Sequence, residues 1–311
     1  MMNRSRVMVA LILAFCASEA LAQAVVQVPR IATSPLIDGR VTTAEWGSAA
    51  KVDPFVDADS GTGVQAQTQV YLAHDGQTLY IAFRCFEPQM DQLQTVVADR
   101  DGTLWNDDCV EVFLDVAGKR ESFAHFIVNP IGAQYDAMGS DASWNCRWLA
   151  LTGREQDAWT VEVSIPVAEL GVKSIKPADL WFGNFCRSRH AGSELSSWNR
   201  TGASFASPKS FGALIFDSFS LRAASDNDVL LSALGRLTQE LQGSPFVAPE
   251  TLSEAKRLTQ TLQQQSQAFG REWTREEYLQ AQSNYDEAGE MVKRLEFAGK
   301  RRQLENRPYL L

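Results

Sequence analysis

The spacing of apolar residues changes once along this chain, near residue 220, and that change limits the folds available to it. Before residue 220, short segments alternate apolar and polar side chains between turn signals. A period of two is typical of strands that bury one face of a sheet. After residue 220, apolar residues recur at the spacing of an amphipathic helix. We therefore predict a mainly β fold: an antiparallel β-sandwich over residues 23–220, followed by an α-helical segment of about three helices over residues 221–311.

One hairpin stands out within the predicted sandwich. Asp75 and Gly76 lie between the apolar runs at residues 70–73 and 79–86. Asp-Gly between two such runs is a strong hairpin signal, because both residues tolerate the positive φ of a tight turn. Further strands are predicted at residues 109–115, 123–128, 159–165, 181–186 and 211–216.

The strand predicted at residues 109–115 has two faces. Alternation places Val110 and Val112 on one face and Glu111 on the other. The apolar face suits a sandwich core. We therefore expect the carboxylate of Glu111 to be open to solvent.

The helical region contains its own signals for where helices begin and end. Gly243-Ser244-Pro245 separates two leucine-rich stripes, and Thr274 with Glu277 forms a capping box that opens a third helix. The apolar stripes indicate that the helices pack on one another. Self-association through these helices stays open as a second use of the same surface.

The first 22 residues have the pattern of a secretory signal peptide. Arg4 and Arg6 precede an apolar run at residues 7–15, and the small residues Ala20 and Ala22 follow it. That run is too short to cross a bilayer, so no membrane span is expected. We predict cleavage after Ala22 and a secreted or periplasmic protein.

Charge and cysteine content narrow the partners. The formal net charge of −9 does not suit nucleic acid, which needs a concentrated basic face. Beyond the signal peptide four cysteines remain, and an oxidising compartment would allow up to two disulfides in any of three pairings. Those cysteines are Cys85, Cys109, Cys146 and Cys186.

Two short acidic loops are candidates for calcium. Asp57 and Asp59 precede Gly61, and Asp99 and Asp101 precede a second glycine. Carboxylates grouped in a glycine-containing loop supply the hard oxygen ligands that calcium prefers. Neither loop has the full spacing of an EF-hand.

Five ordered sequence blocks together resemble family 9 carbohydrate-binding modules. The resemblance spans about residues 26–217 and does not extend to the helical region. It implies a β-sandwich that holds the end of a sugar chain between two aromatic rings, commonly with structural calcium, in proteins that usually accompany polysaccharide hydrolases. The blocks are residues 35–39 with Glu45-Trp46, then residues 75–83, 105–115, 159–166 and 208–212.

The resemblance also implies site residues. Trp105 matches the first stacking ring, and Phe205 stands where the family often has tryptophan, with Trp198 as an alternative second wall. Glu111 matches a hydroxyl-binding carboxylate and Asn129 an amide ligand. Where the family pattern has an arginine, this chain has Ile127.

Three other functions compete with sugar binding. A glycoside hydrolase would need two opposed carboxylates, for which Asp107, Asp108 and Glu111 are the candidates. The sandwich could instead be a structural or assembly domain whose sugar site has decayed.

A related kind of sandwich domain binds haem through a methionine and a histidine. Met138 with His125 or His190 would be the ligands here. No C-x-x-C-H attachment motif accompanies them.

Overall fold

Two stacked β-sheets form the larger part of the computed structural model, which describes residues 24–305. The predicted signal peptide lies outside the described residues. Strands are numbered along the chain. Within the described residues the first sheet has eight strands: β1 (Val25–Val28), β3 (Val56–Asp57), β6 (Cys109–Asp115), β7 (Ala124–Val128), β8 (Gln134–Met138), β11 (Leu180–Arg189), β12 (Glu194–Ser197) and β13 (Gly212–Phe216). The second has five: β2 (Ala50–Val52), β4 (Thr68–His74), β5 (Thr78–Phe86), β9 (Leu149–Arg154) and β10 (Ala158–Pro166).

Strand order confirms the predicted sandwich. The first sheet runs β1-β13-β11-β6-β7-β8, with β12 joining β11 to β3, and the second runs β2-β4-β5-β10-β9. β1 pairs with β13 in parallel, and the other pairs are antiparallel. The predicted hairpin joins β4 to β5, and Gly76 has the positive φ of 99° that this turn requires.

The core lies between the sheets and follows the predicted alternation. Val110, Val112 and Leu114 of β6 point into it. The expectation that the opposite face of β6 is open to solvent is wrong, because all seven residues of the strand are buried. Phe205 and Phe211 pack over that outer face, and so does the loop before β6.

The outer face of the second sheet is covered by the N-terminal segment. This segment includes the short helix α1 (Thr43–Trp46), whose Trp46 is buried against Tyr80 and Ala82. The indole Nε1 of Trp46 donates a hydrogen bond to the buried carboxylate of Glu162. Two of the sequence blocks therefore meet across this sheet.

Three long helices follow the last strand, as predicted. They are α2 (Phe219–Glu240), α3 (Pro249–Ser266) and α4 (Arg275–Glu305). The capping box is confirmed: Thr274 Oγ1 accepts from the N–H of Glu277 at 3.2 Å, and a carboxylate oxygen of Glu277 accepts from the N–H of Thr274 at 2.9 Å. The helices pack on one another and also on Val25 and Ile215, at the β1–β13 end of the first sheet's outer face. Every helix within residues 24–305 is too short or too polar to cross a bilayer.

Neither of the disulfides that an oxidising compartment would allow is formed, since all four cysteines are free and buried. Cys85 and Cys146 belong to the inter-sheet core, where burial raises the pKa of each thiol to about 12. Cys186 lies opposite Glu111 in the sheet and Cys109 lies opposite Ser188. The outer-face pair is thus offset by two residues, and a disulfide needs its two Cβ atoms close together.

Candidate functional site

Trp105 is an exposed indole at one end of the first sheet. It lies in a single turn of 3-10 helix, Leu104–Asn106, directly before β6. Leu104 is fully buried and anchors the turn, whereas 49% of Trp105 is exposed. The indole meets the ring of Tyr135 edge to face, with centroids 5.7 Å apart. Trp105 therefore offers a free aromatic face on a fixed support.

Two buried carboxylates hold the turn that carries Trp105. Oδ1 and Oδ2 of Asp107 accept from the backbone N–H groups of Val96 and Val97, each at 2.9 Å. Oδ2 of Asp108 accepts from the N–H of Gln94 at 2.8 Å. Both carboxylates are 0% exposed. They fasten the turn to residues 94–97.

Asn129 belongs to the same support. Its Nδ2 donates to Asp107 Oδ2 at 3.0 Å and to the carbonyl of Val97 at 2.7 Å, while its Oδ1 accepts from the N–H of Ala133 at 2.9 Å. The residue is 0% exposed. The prediction that Asn129 binds sugar directly is therefore corrected: its amide is used inside the protein.

Ile127 packs beneath the turn that carries Trp105, on the outer face of the first sheet. It is buried in a small cluster with Leu104, Cys109 and Ala133, and the ring of Tyr135 packs against that cluster. Where the family pattern has a cation, this chain thus has apolar packing beneath Trp105.

Glu111 forms a pair with a histidine that the site prediction did not include. His125 Nε2 lies 2.7 Å from Glu111 Oε2, and the imidazole stacks on Phe113 with centroids 4.1 Å apart. Glu111 is 6% exposed. The imidazole and neighbouring side chains reduce the access that alternation predicted for this carboxylate.

Tyr135 links Trp105 to this pair. Its ring contacts Trp105 on one side and His125 on the other, with centroids 5.7 Å apart in each case. Burial raises the pKa of the Tyr135 phenol, and the carboxylates of Asp101, Asp136 and Glu111 raise it further.

Sequence reasoning missed Tyr135 because β8 was not among the predicted strands. Gly132, with a φ of 83°, marks the turn before this strand, but the segment Gln134–Met138 has no regular apolar alternation, so the sequence carried only a weak strand signal.

Phe205 lies on the same face as Glu111. It is half-buried and packs on the cluster of Phe113, Cys186 and Phe211. In strand order Glu111 lies between Cys186 and the Tyr135 that supports Trp105. A hollow of about 380 Å³ adjoins the ring on the side of Asp57, Asp59 and Leu195, and neither Trp105 nor Glu111 lines it. The structure thus places Trp105, Glu111 and Phe205 along one face of the first sheet, with the support of Trp105 on β8 and that of Phe205 on β6 and β11.

Trp198 lies elsewhere. Its ring packs on Phe185, which points into the inter-sheet core, with centroids 5.8 Å apart. The backbone of Gly212 passes so close that a Cβ there would lie 2.4 Å from the indole. Trp198 therefore fills the core edge, and its assignment as a second wall is corrected.

The comparisons with known proteins bear on this arrangement. The model of the family described as carbohydrate family 9 binding domain-like matches residues 37–218. The chain belongs to this family. The match includes Trp105, Glu111 and Phe205 and ends before α2 begins. A search of curated proteins found no match.

Three solved structures are similar to this chain at low sequence identity. A putative carbohydrate-binding protein from Bacteroides uniformis ATCC 8492 is 19% identical, with a TM-score of 0.50 over 63% of this chain and 100% of that chain. A family 9 module from Caldicellulosiruptor kristjanssonii, solved with cellotriose, is 20% identical, with a TM-score of 0.47 over 62% of this chain and 93% of that chain. Its structure with glucose has the same identity and TM-score and is covered to 95%.

The calcium that resemblance to family 9 modules implies does not fit the predicted loops. Asp57 Oδ1 accepts from the N–H and hydroxyl of Ser60, and these hydrogen bonds lower the pKa of Asp57. Between Asp99 and Asp101, the Arg100 guanidinium pairs with Asp136 and lies 3.6 Å from Asp101. Among residues 24–305 no three His, Cys, Asp or Glu side chains are grouped to hold a metal ion. Asp57 and Asp101 thus have partners within the protein, and the set Asp57, Asp59, Asp99 and Asp101 does not come together as a metal site.

The hydrolase alternative meets a geometric obstacle in this family 9 sandwich. Asp107 and Asp108 are fully buried, and backbone N–H groups occupy their oxygens. Neither Asp107 nor Asp108 can therefore act as the opposed partner of Glu111, because both carboxylates face into the loop.

The haem alternative fails on the geometry of the sheet. Met138 lies opposite Ala124 in the sheet, so its side chain shares the inner face, whereas His125 points outward. The C-terminal end of β11, which His190 follows, lies at the same edge of the sheet as the N-terminal end of β8. Met138 lies at the other end of β8 and therefore at the opposite edge. The proposed ligands do not meet.

Proposed function

We propose that this chain binds carbohydrate on the outer face of the first sheet, with the indole of Trp105 as the stacking platform. The observation that carries the proposal is the contrast between the ring, 49% exposed, and the buried carboxylates that fix it. An indole that faces solvent on a rigid support contributes little to the stability of the fold. It suits a ligand with a flat apolar face.

A pyranose is such a ligand. Its CH-rich face stacks on an aromatic ring, and its equatorial hydroxyl groups need hydrogen-bond partners at the ring's edge. Glu111 and His125 offer polar atoms on the same face of the sheet, and Phe205 supplies a second ring beyond them. In this proposal the saccharide lies between Trp105 and Phe205.

The wider biological role follows from the same proposal. The signal-peptide pattern at residues 1–22 supports export, and the membership in family 9 supports a role in polysaccharide catabolism without catalysis by this chain. The helices α2 to α4 would serve for self-association or for contact with a glycoside hydrolase. Calcium has no part in the proposal.

Direct binding measurements test it. The family 9 module from Caldicellulosiruptor kristjanssonii was solved with cellotriose and with glucose, so both are suitable probes in titration calorimetry, with soluble glucans and xylans in affinity gels. We expect Trp105→Ala to abolish binding. Leu149→Ala is the matched control, because Leu149 is 47% exposed on β9 of the other sheet.

Two outcomes would contradict the proposal. Wild-type protein that binds none of these saccharides would favour a structural domain, for which the buried Asn129 and Ile127 already provide some support. Equal binding by Trp105→Ala and wild-type protein would place the site elsewhere.

A further inference from the structure

The polar side chains around Trp105 are mostly occupied. Asp107, Asp108 and Asn129 turn their polar atoms into the loop that supports the indole. The hydrogen bond between Glu111 Oε2 and His125 Nε2 uses one polar atom of each side chain. A ligand hydroxyl at the edge of Trp105 cannot use an atom that already holds a buried partner without leaving that partner unsatisfied.

Tyr135 is different. Its hydroxyl makes no hydrogen bond to any residue within the described part of the chain, and it is not among the buried polar atoms that lack a partner. Solvent therefore reaches it. The ring is held between Trp105 and His125, at 5.7 Å from each. The hydroxyl is thus an unpaired donor and acceptor on a ring that packs against two other rings.

The charge around Tyr135 also favours one class of sugar. The carboxylates of Asp101, Asp136 and Glu111 act on the phenol, and burial adds to their effect in raising its pKa. The nearby guanidinium of Arg100 is already paired with Asp136. Beneath the indole, Ile127 contributes no charge. Of the two basic side chains that the structure places here, Arg100 is paired with Asp136 and His125 with Glu111, so a carboxylate on the ligand would meet negative potential.

We propose that the hydroxyl of Tyr135 binds a hydroxyl group of the saccharide stacked on Trp105, and that the site selects neutral saccharides over uronates. This inference rests on the proposed function. It adds Tyr135 on β8 as a ligand-binding residue and specifies that the ligand is an uncharged saccharide.

Tyr135→Phe is the direct test, because it keeps the ring against Trp105 and His125 and removes only the hydroxyl. We expect glucose or cellotriose to bind about 2- to 12-fold more weakly, the range for one hydrogen bond. Tyr71→Phe is the control: Tyr71 donates to Gln69 on the other sheet, and its loss should leave binding unchanged. Thermal unfolding of both variants checks that the fold is intact.

The charge class is tested on wild-type protein with glucose against glucuronate. We expect glucuronate to bind several-fold more weakly at low salt, with a smaller difference at 1 M salt, where charges are screened beyond about 3 Å. Equal binding of the two would overturn the preference for neutral sugars.

The two proposals fail in different ways. If Tyr135→Phe binds like wild type while Trp105→Ala loses binding, the assignment of Tyr135 is overturned and the stacking site stands. If wild-type protein binds no saccharide, both proposals are overturned together.

Discussion

Trp46 Nε1 donates a 2.7 Å hydrogen bond to Oε1 of Glu162, 116 residues further along the chain. The other oxygen of that carboxylate accepts from the N–H groups of Asp38 and Gly39 at 2.8 and 2.7 Å. One buried side chain thus fastens the N-terminal segment to the second sheet. Burial raises the pKa of Glu162, while these hydrogen bonds act to lower it.

Replacing that carboxylate should destabilise the sandwich. Glu162→Gln puts an amide N–H₂ where an acceptor stood, so at least one buried donor loses its partner. We expect the free energy of unfolding in urea to fall by about 1–3 kcal/mol. Glu155→Gln, at the half-exposed pair with Arg84, is the control and should change stability by less than about 1 kcal/mol. Equal losses in both variants would contradict the role given to Glu162.

Amide hydrogen exchange can distinguish the roles of Asp107 and Asp108, the two buried carboxylates that hold the turn of Trp105. Asp107 accepts from Val96 and Val97, whereas Asp108 accepts from Gln94. Asp107→Asn should therefore speed exchange at Val96 and Val97 more than at Gln94, and Asp108→Asn should do the reverse. Each variant should also weaken saccharide binding, because the indole loses its fixed support. Uniform exchange changes along residues 94–97 would show that the two carboxylates do not act separately.

Stability should decline in mild acid because of His74. Its side chain is fully buried, and burial lowers the pKa of His74 below its ordinary value although Asp217 acts in the opposite direction. The unfolded chain therefore takes up a proton near pH 6.5, where the folded chain resists it. The contribution of neutral His74 to the free energy of unfolding is complete above that pH. It is lost as the pH falls towards the lowered pKa of His74 in the folded chain, by at most about 1.4 kcal/mol per pH unit.

Two variants test this assignment by urea unfolding between pH 7.5 and 5. Asp217→Asn removes the carboxylate that favours the imidazolium and should steepen the loss. Asn suits the positive φ of 66° at this position. Leu149→Ala, at an exposed side chain on the second sheet that does not titrate, should leave the slope unchanged. An unchanged slope in Asp217→Asn would show that another group titrates.

A larger ring at the second wall should tighten binding. Phe205 adjoins a hollow of about 380 Å³, which leaves room for an indole. We expect Phe205→Trp to strengthen saccharide binding by about 2- to 10-fold through added stacking, and Phe205→Ala to weaken it. Trp198→Phe is the control, because that ring packs at the core edge. Calorimetric titration that shows no difference among the three would remove Phe205 from the site.

Much of the architecture followed from local pattern. The β4–β5 hairpin, the alternation of β6 and the capping box of α4 each depend on residues that are neighbours in sequence. The exposed Trp105 was also predictable, because its block is recognisable and the loop is polar. The use of Asn129 and the burial of Glu111 were not, because their partners come from distant strands and loops.

The sequence by itself determined the strand-rich and helix-rich regions of the chain, the family and the position of the exposed Trp105, since these depend on periodicity and on ordered blocks. Only the tertiary structure decided which polar atoms are left for a ligand. Asp107 and Asn129 are used up by backbone and side-chain partners, whereas the Tyr135 hydroxyl is not. A hydrogen-bonding group is available to a ligand only when folding has not already satisfied it, and packing across several strands determines that.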